Sequence, residues 1–314
     1  MAMTTGTSVM LAIATCRRPE GLARLLAAVA GFDVPPGVAF AVHVVDNSPE
    51  GSALTFLRQR AVTYPFPLTC GHEPRRGLSR ARNAALRRAL AADANLMGFI
   101  DDDEMPEQNW LSAHLATLSR SGADASLGPV TPRFDRTPPR WIARGGFLAM
   151  AGHPDGAPLR FGATSNILFR TAPVRTADLS FDPALDLTGG EDTAFFDAYL
   201  RTGARIVFCA AAGVEEDIPP SRASLPWLWR RWRRSGQTNA RLMLGRHPVA
   251  GRPACLLGGA LRLAAGSALL LALLPLGVTG HPGWARGLKI AARGAGFVDI
   301  AAGRSIHEYA TLVR

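Results

Sequence analysis

Two periods alternate along this chain. Short apolar runs at residues 9–14, 39–45 and 96–100 read as buried strands. Between them, apolar residues recur at every third or fourth position, as helices require. Leu22, Leu25, Leu26 and Val29 share one helical face, with Pro19 at the first position and Gly31 as the stop. After the loop Glu73-Pro74-Arg75-Arg76-Gly77, a second set recurs at Leu78, Ala81, Ala85, Leu86, Ala89 and Leu90, leaving Arg80, Arg82, Arg87 and Arg88 on the remaining faces. Further on, residues 194–201 read as an amphipathic helix, Gly203 as its end and residues 205–209 as a strand. Strands alternating with helices predict an α/β domain with a mostly parallel central sheet, whose ligands bind beyond the carboxyl ends of the strands. Thr15, Arg17, Asp46 and Asp101 follow or end predicted strands and are expected on that rim.

The pattern changes after Asp217. Ile218-Pro219-Pro220-Ser221-Arg222 breaks the alternation, and the division predicted from it is a catalytic domain over 1–217 and a basic, helical, membrane-associating region over 218–314. Residues 218–314 hold 14 Lys and Arg against 2 Asp and Glu, so all the excess positive charge of the 314-residue chain lies there. Trp and Arg interleave over 227–237, which fits either a segment closing over an anionic ligand or an interfacial helix on anionic lipid. Residues 255–278 are long enough to cross a bilayer, but Arg262 and Pro275 leave only 12 uninterrupted apolar residues, 263–274. With Arg286, Lys289, Arg293 and Arg304 beyond them, a re-entrant or in-plane association is expected rather than a full crossing. A buried helical hairpin is the other reading.

The most distinctive chemistry sits where the third run ends, in Phe99-Ile100-Asp101-Asp102-Asp103-Glu104. Adjacent carboxylates repel one another, so their concentration at a strand end points to a cation. Oxygen ligands suit Mg²⁺ or Mn²⁺ held by one or two carboxylates and a substrate diphosphate. The competing reading is an acidic helix start. Asp46 either hydrogen-bonds a base or ribose or forms a local Asx turn. The basic start of the helix after Gly77 suits an anion. No GxGxxG or GxxxxGK[ST] sequence follows a strand, which argues against dinucleotide-binding and P-loop classes. Cys16, Cys70, Cys209 and Cys255 stand apart, without zinc-site or disulfide-framework spacing, and reduced cytosolic thiols are expected. The first residues show no basic region before a secretory apolar run. The leucine-rich run beside the C-terminal arginines suits lipid better than nucleic acid, and no nucleic-acid partner is expected.

In their order, Thr15-Cys16-Arg17-Arg18-Pro19, Val45-Asp46-Asn47, Gly77-Leu78-Ser79-Arg80-Ala81-Arg82-Asn83, Phe99-Ile100-Asp101-Asp102-Asp103-Glu104-Met105-Pro106 and Thr188-Gly189-Gly190-Glu191-Asp192-Thr193 resemble the motifs of family 2 glycosyltransferases. The resemblance runs over about residues 8 to 240 and is greatest to bacterial exopolysaccharide enzymes of the succinoglycan type. It implies the GT-A fold and an inverting transfer of one sugar from a nucleotide-diphosphate sugar, UDP-linked, to a lipid-linked or polysaccharide-precursor acceptor. The place of action it implies is the cytoplasmic face of the bacterial inner membrane. Carried over by position, Thr15, Arg17, Asp46 and Arg82 would line the nucleotide pocket, and Asp101 would face the ribose and metal. Asp103 would be the more direct metal ligand, although the triple Asp leaves the register open. Asp192 would be the general base, with Glu191 orienting it or the acceptor. Asn166 would contact the donor sugar, and Arg231, Arg234 and Gln237 would reach the diphosphate. A nucleotidyltransferase of similar topology and a non-catalytic membrane-associated binding protein are the alternatives. The stretch 129–144 is expected as an acceptor-side loop.

Overall fold

In a computed structural model describing residues 6–150, 152–186, 188–247 and 250–306, the first apolar run forms β1 (Thr7–Thr15). Its period of two sends Val9, Leu11 and Ile13 into one core layer and Met10 and Ala12 into the other. A strand buried on both faces belongs in the middle of a covered parallel sheet, and the remaining elements build that sheet around it. In chain order they are α1 (Pro19–Val29), β2 (Val38–Asp46), α2 (Leu54–Ala61), β3 (Leu68–His72), α3 (Leu78–Ala91), β4 (Leu96–Phe99), β5 (Glu104–Pro106), α4 (Trp110–Ser121), β6 (Ala125–Leu127), β7 (Val130–Phe134), α5 (Arg140–Gly145), β8 (Pro158–Leu159), β9 (Ile167–Arg170), α6 (Ala172–Thr176), α7 (Glu191–Arg201), β10 (Ile206–Phe208) and β11 (Val214–Ile218).

The main sheet has the order β3-β2-β1-β4-β9-β6-β10-β8. Its pairings are parallel except at β9 and β8, which run against their neighbours. α1 and α4 cover one face through Leu22, Leu25, Trp110 and Leu115. α3 and α7 cover the other through Ala81, Ala85, Phe195 and Tyr199. Register brings Thr15 of β1 opposite Asp46 of β2, and pairs Ala12 with Phe99, so the acidic run leaves β4 at the same edge. A smaller sheet has the order β5-β11-β7.

The chain divides into two compact units: Met1–Thr131, Met150–Asp186 and Glu191–Glu216; and Pro132–Ala149, Leu187–Gly190 and Asp217–Arg314. The second is helical, with α8 (Leu225–Arg246), α9 (Gly251–Leu273) and α10 (Gly283–Ala301). Its core joins Leu228 and Trp232 of α8, Ala285 and Ala292 of α10, Ile142 from the stretch 129–144 expected as a loop, and Phe147 and Leu148 just beyond it. Apolar side chains at Ile142, Phe147 and Leu148 are what draw residues 142–148 into a core, since burying them removes apolar surface from water. α9 is the one helix among the described residues long and apolar enough to cross a membrane, by length and composition.

Candidate active site

The acidic run turns sharply after β4. Glu104 is buried and accepts the Asp101 backbone N–H at 2.9 Å, closing a tight turn that gives each aspartate a different environment. Asp102 points inward, 6% exposed, where Thr15 Oγ1 donates to Oδ2 at 2.8 Å and Arg18 Nη1 to Oδ1 at 2.8 Å. Burial pushes its carboxyl up to about 6, with Arg18 and Thr15 opposing the rise. Arg18 also reaches Asp103 Oδ2 at 2.8 Å, so one guanidinium spans two carboxylates. Burial raises Glu104 well above the usual carboxylate range, and repulsion from Asp101 adds to it.

Asp101 faces another way. Its Oδ1 lies 3.4 Å from Arg82 Nη2, and 42% of its side chain is exposed. Surrounding protein still raises its carboxyl; Arg82 opposes the rise, while the charges of Asp103 and Asp192 add to it. Arg82 is buried on α3, and its Nη1 pairs with the buried carboxylate of Glu191, the first residue of α7. One guanidinium therefore joins the end of β4 to the start of α7, where Asp192 follows. Asp192 Oδ1 accepts the Thr193 backbone N–H at 2.6 Å. The structure thus gathers Thr15, Arg82, Asp101, Asp103, Glu191 and Asp192 at the carboxyl ends of β1 and β4, as the motif order implies.

Other expected residues stand in different surroundings. Asp46 is fully buried; Oδ1 accepts Ser48 N at 2.8 Å and Oδ2 accepts Ala53 N at 2.6 Å, the turn role set out for it above. Arg17, with φ +54°, turns outward to pair with Glu50 at 2.7 Å. Asn166 is buried, its amide bonded to Trp110, His114, Pro129 and Ala212, which holds β9 to α4 and the chain after β6 and β10. In the second unit Gln237 is buried and donates to Asp299 at 2.9 Å, Arg231 lies 5.2 Å from the Trp227 ring, and Arg234 accepts Thr238 Oγ1 on its carbonyl.

The basic start of α3 is already occupied. Asp186 accepts Ser79 N at 2.9 Å and pairs with Arg80 at 3.0 Å, so this carboxylate takes the place expected for a ligand's charge. Gly77 permits it: φ is +151°, and a Cβ there would lie 2.3 Å from the Asp186 carboxyl carbon. Asn47 fixes the same loop, donating to the carbonyls of Glu73 and Arg75 and accepting Gly77 N at 2.9 Å. Arg18, Asn47 and Asp186 are the residues that sequence reasoning did not place. Arg18 and Asn47 stood inside quoted motifs, but nothing local signalled Asp186.

The family model for glycosyl transferase family 2 matches residues 10–179. The succinoglycan biosynthesis protein ExoM of Rhizobium meliloti (strain 1021) is 36% identical over 233 residues, which is 74% of each chain. The glycosyltransferase AglE of Haloferax volcanii is 27% identical over 122 residues, 39% of each. Among solved structures, S. aureus TarS 1-349 in complex with UDP-GlcNAc is similar with a TM-score of 0.52 at 16% identity, over 95% of this chain and 93% of that one. GalNAc-T7 with UDP, GalNAc and Mn²⁺ is similar with a TM-score of 0.54 at 12% identity, over 76% and 48%. At such identities the structural likeness speaks for the GT-A-like fold alone. The family match covers the strands and helices that carry the acidic turn, and the ExoM likeness covers most of both chains: the chain belongs to glycosyl transferase family 2 and is a glycosyltransferase.

Proposed function

We propose that the protein is an inverting glycosyltransferase that moves one sugar from a UDP-linked donor to a lipid-linked or polysaccharide-precursor acceptor at the cytoplasmic face of a bacterial inner membrane. The observation that carries this reading is the Asp101–Arg82–Glu191 connection, which sets a candidate base, Asp192, beside the carboxylates suited to the donor. ExoM, by its name a succinoglycan biosynthesis protein, supports an exopolysaccharide acceptor. The UDP and UDP-GlcNAc complexes of TarS support a UDP-linked donor.

A divalent cation fits this donor set only in company. Among the described residues no group of three His, Cys, Asp or Glu side chains forms a protein cage. Asp101 and Asp103 instead suit a cation that takes one or two carboxylates and completes its shell with diphosphate oxygens. Burial first, and then the charges of Asp103 and Asp192, push the Asp101 carboxyl up, and a cation there would relieve that push. Asp102, committed to Thr15 and Arg18, is left as the turn's internal anchor. The cation's chemistry would be to offset charge on the departing diphosphate.

The protein's own groups supply the rest. Asp192 takes the proton of the acceptor hydroxyl as that oxygen attacks the anomeric carbon from the face opposite the diphosphate, and the configuration inverts. Glu191, held by Arg82, fixes the first turn of α7 and so the aim of Asp192. Thr15 and Arg18 hold the acidic turn to β1 and its following loop. Asp46 and Asn47 shape the loops that border the donor. Asp192→Asn tests the base assignment: transfer of labelled sugar should fall by about 10²–10⁴-fold while UDP-sugar binding is retained. Transfer at the wild-type rate would exclude Asp192.

A further inference from the structure

The second unit has a helix whose two faces are built for different media. Gly259 and Gly266 of α9 face α10, where Gly294 and Gly287 receive them: a Cβ on Gly259 would lie 2.9 Å from the Gly294 carbonyl oxygen, and one on Gly266 2.7 Å from that of Gly287. The spacing of seven on each helix keeps both contacts on one stripe of an antiparallel pair. On its other side α10 meets α8 just as closely, since a Cβ on Gly296 would lie 2.1 Å from the Arg233 carbonyl oxygen. α10 is therefore the middle layer. The buried Asp299 carboxylate, paired with Arg233 at 2.6 Å and Gln237 at 2.9 Å, ties it to α8.

The opposite face of α9 is apolar and uncovered. Leu257, Leu261 and Leu271, which lie across the helix from Gly259, are 65%, 62% and 70% exposed, and only 11% of the apolar window is buried. Arg262, the charge within this run, does not interrupt that face. Its guanidinium folds back to the Gly258 carbonyl at 2.8 Å and lies 4.7 Å from the Phe297 ring of α10. Long basic side chains reach for the polar side of an interface in this way.

Resting on the membrane association proposed above, we propose that α9 docks in the plane of an anionic bilayer, with its leucine face in the acyl boundary and α10 and α8 on the aqueous side. Charge selects this occupant. Residues 218–314 hold 14 Lys and Arg against 2 Asp and Glu, a net positive charge that complements anionic headgroups. Packing selects the geometry. Were α9 to cross, its glycine contacts would carry α10 and then α8 into hydrocarbon with Arg286, Lys289, Arg293, Arg233 and Asp299, which the bilayer interior opposes. Lying flat, α9 keeps both contacts and wets none of its leucines.

The test uses the full chain with Cys16 and Cys70 replaced by Ser. Flotation with phosphatidylglycerol-rich vesicles should be strong, and weak with neutral phosphatidylcholine. Leu257→Glu/Leu261→Glu/Leu271→Glu should reduce it by at least about a hundredfold while leaving UDP binding intact. Arg252→Cys and Thr279→Cys, at the two ends of the apolar stretch, should both react with an impermeant maleimide in inverted inner-membrane vesicles, and neither should react in intact spheroplasts. Floating protein whose two ends label from opposite sides overturns the in-plane geometry alone. Wild type that fails to float, or that uses the leucine face to dimerise in solution without binding vesicles, overturns membrane docking altogether. The UDP titration reports on the donor site independently.

Discussion

Arg82→Met puts the central connection of the site under load. The guanidinium is 5% exposed, Glu191 is 3% exposed, and the same side chain reaches Asp101. Removing one member of a buried ion pair leaves charge in a poorly solvating place and costs about 3–5 kcal/mol. Domains of this kind are stable by about 5–15 kcal/mol, so the variant should fold but unfold at clearly lower urea. Replacing both partners, in Arg82→Met/Glu191→Met, removes the stranded charge and should recover most of the loss, because well-packed apolar pairs often match a buried salt bridge. The two single changes and the double change form a cycle whose coupling should be about 2 kcal/mol or more, read from urea unfolding followed by circular dichroism. Calorimetric titration of UDP into the folded double variant then asks whether Asp101 still serves the donor. A loss below about 1 kcal/mol for the single variant, with the cycle additive within about 0.5 kcal/mol, would refute the view that Arg82 is the strut between β4 and α7.

Gly77→Ala should destabilise by about 2–4 kcal/mol, combining an unfavourable backbone conformation with loss of the Asp186 cap, and differential scanning calorimetry would show it. A second alanine change, Gly31→Ala, where φ is not positive and a Cβ would lie 3.5 Å from the Ala28 carbonyl oxygen, is the control and should be nearly neutral. Acid should weaken the fold through His43 and His114, which burial lowers to about 4 each. Because their folded values lie below the unfolded one, near 6.5, stability is intact above that pH and falls toward pH 4, by roughly 3 kcal/mol per histidine. His114→Gln should remove its share of the slope in urea titrations between pH 7 and 4; an unchanged slope would count against it.

Local pattern carried the α/β core well, because each of β1, β2, β4, α1 and α3 announces itself within its own residues. The alternation along β1 and the 3.6 period of α1 need no knowledge of distant sequence. What pattern did not carry was made by long-range contacts. Asp186 caps α3 from 107 residues away, and Arg82 meets Glu191 across 109. No rule of spacing links such positions. Arg17 and Arg18 are adjacent and chemically identical, and only the backbone decides between them: φ of +54° at Arg17 sends that side chain to Glu50, leaving Arg18 to the acids. The same holds for the register of the triple Asp, which the turn closed by Glu104 resolves into an inward Asp102 and outward Asp101. Residues 129–144 read as a loop for want of a long period, yet Ile142 within them, with Phe147 and Leu148 just beyond, suffices to seat α5 in the second unit's core.

The acidic turn as the donor's seat is the claim on which the mechanism stands, and calorimetric titration of UDP with and without Mn²⁺ tests it most directly. Wild type and Asp192→Asn should bind UDP in a Mn²⁺-dependent manner, and Asp103→Ala should lose that dependence while unfolding at the same temperature. Equal, Mn²⁺-dependent binding by folded Asp103→Ala would contradict the account and move the donor away from the end of β4.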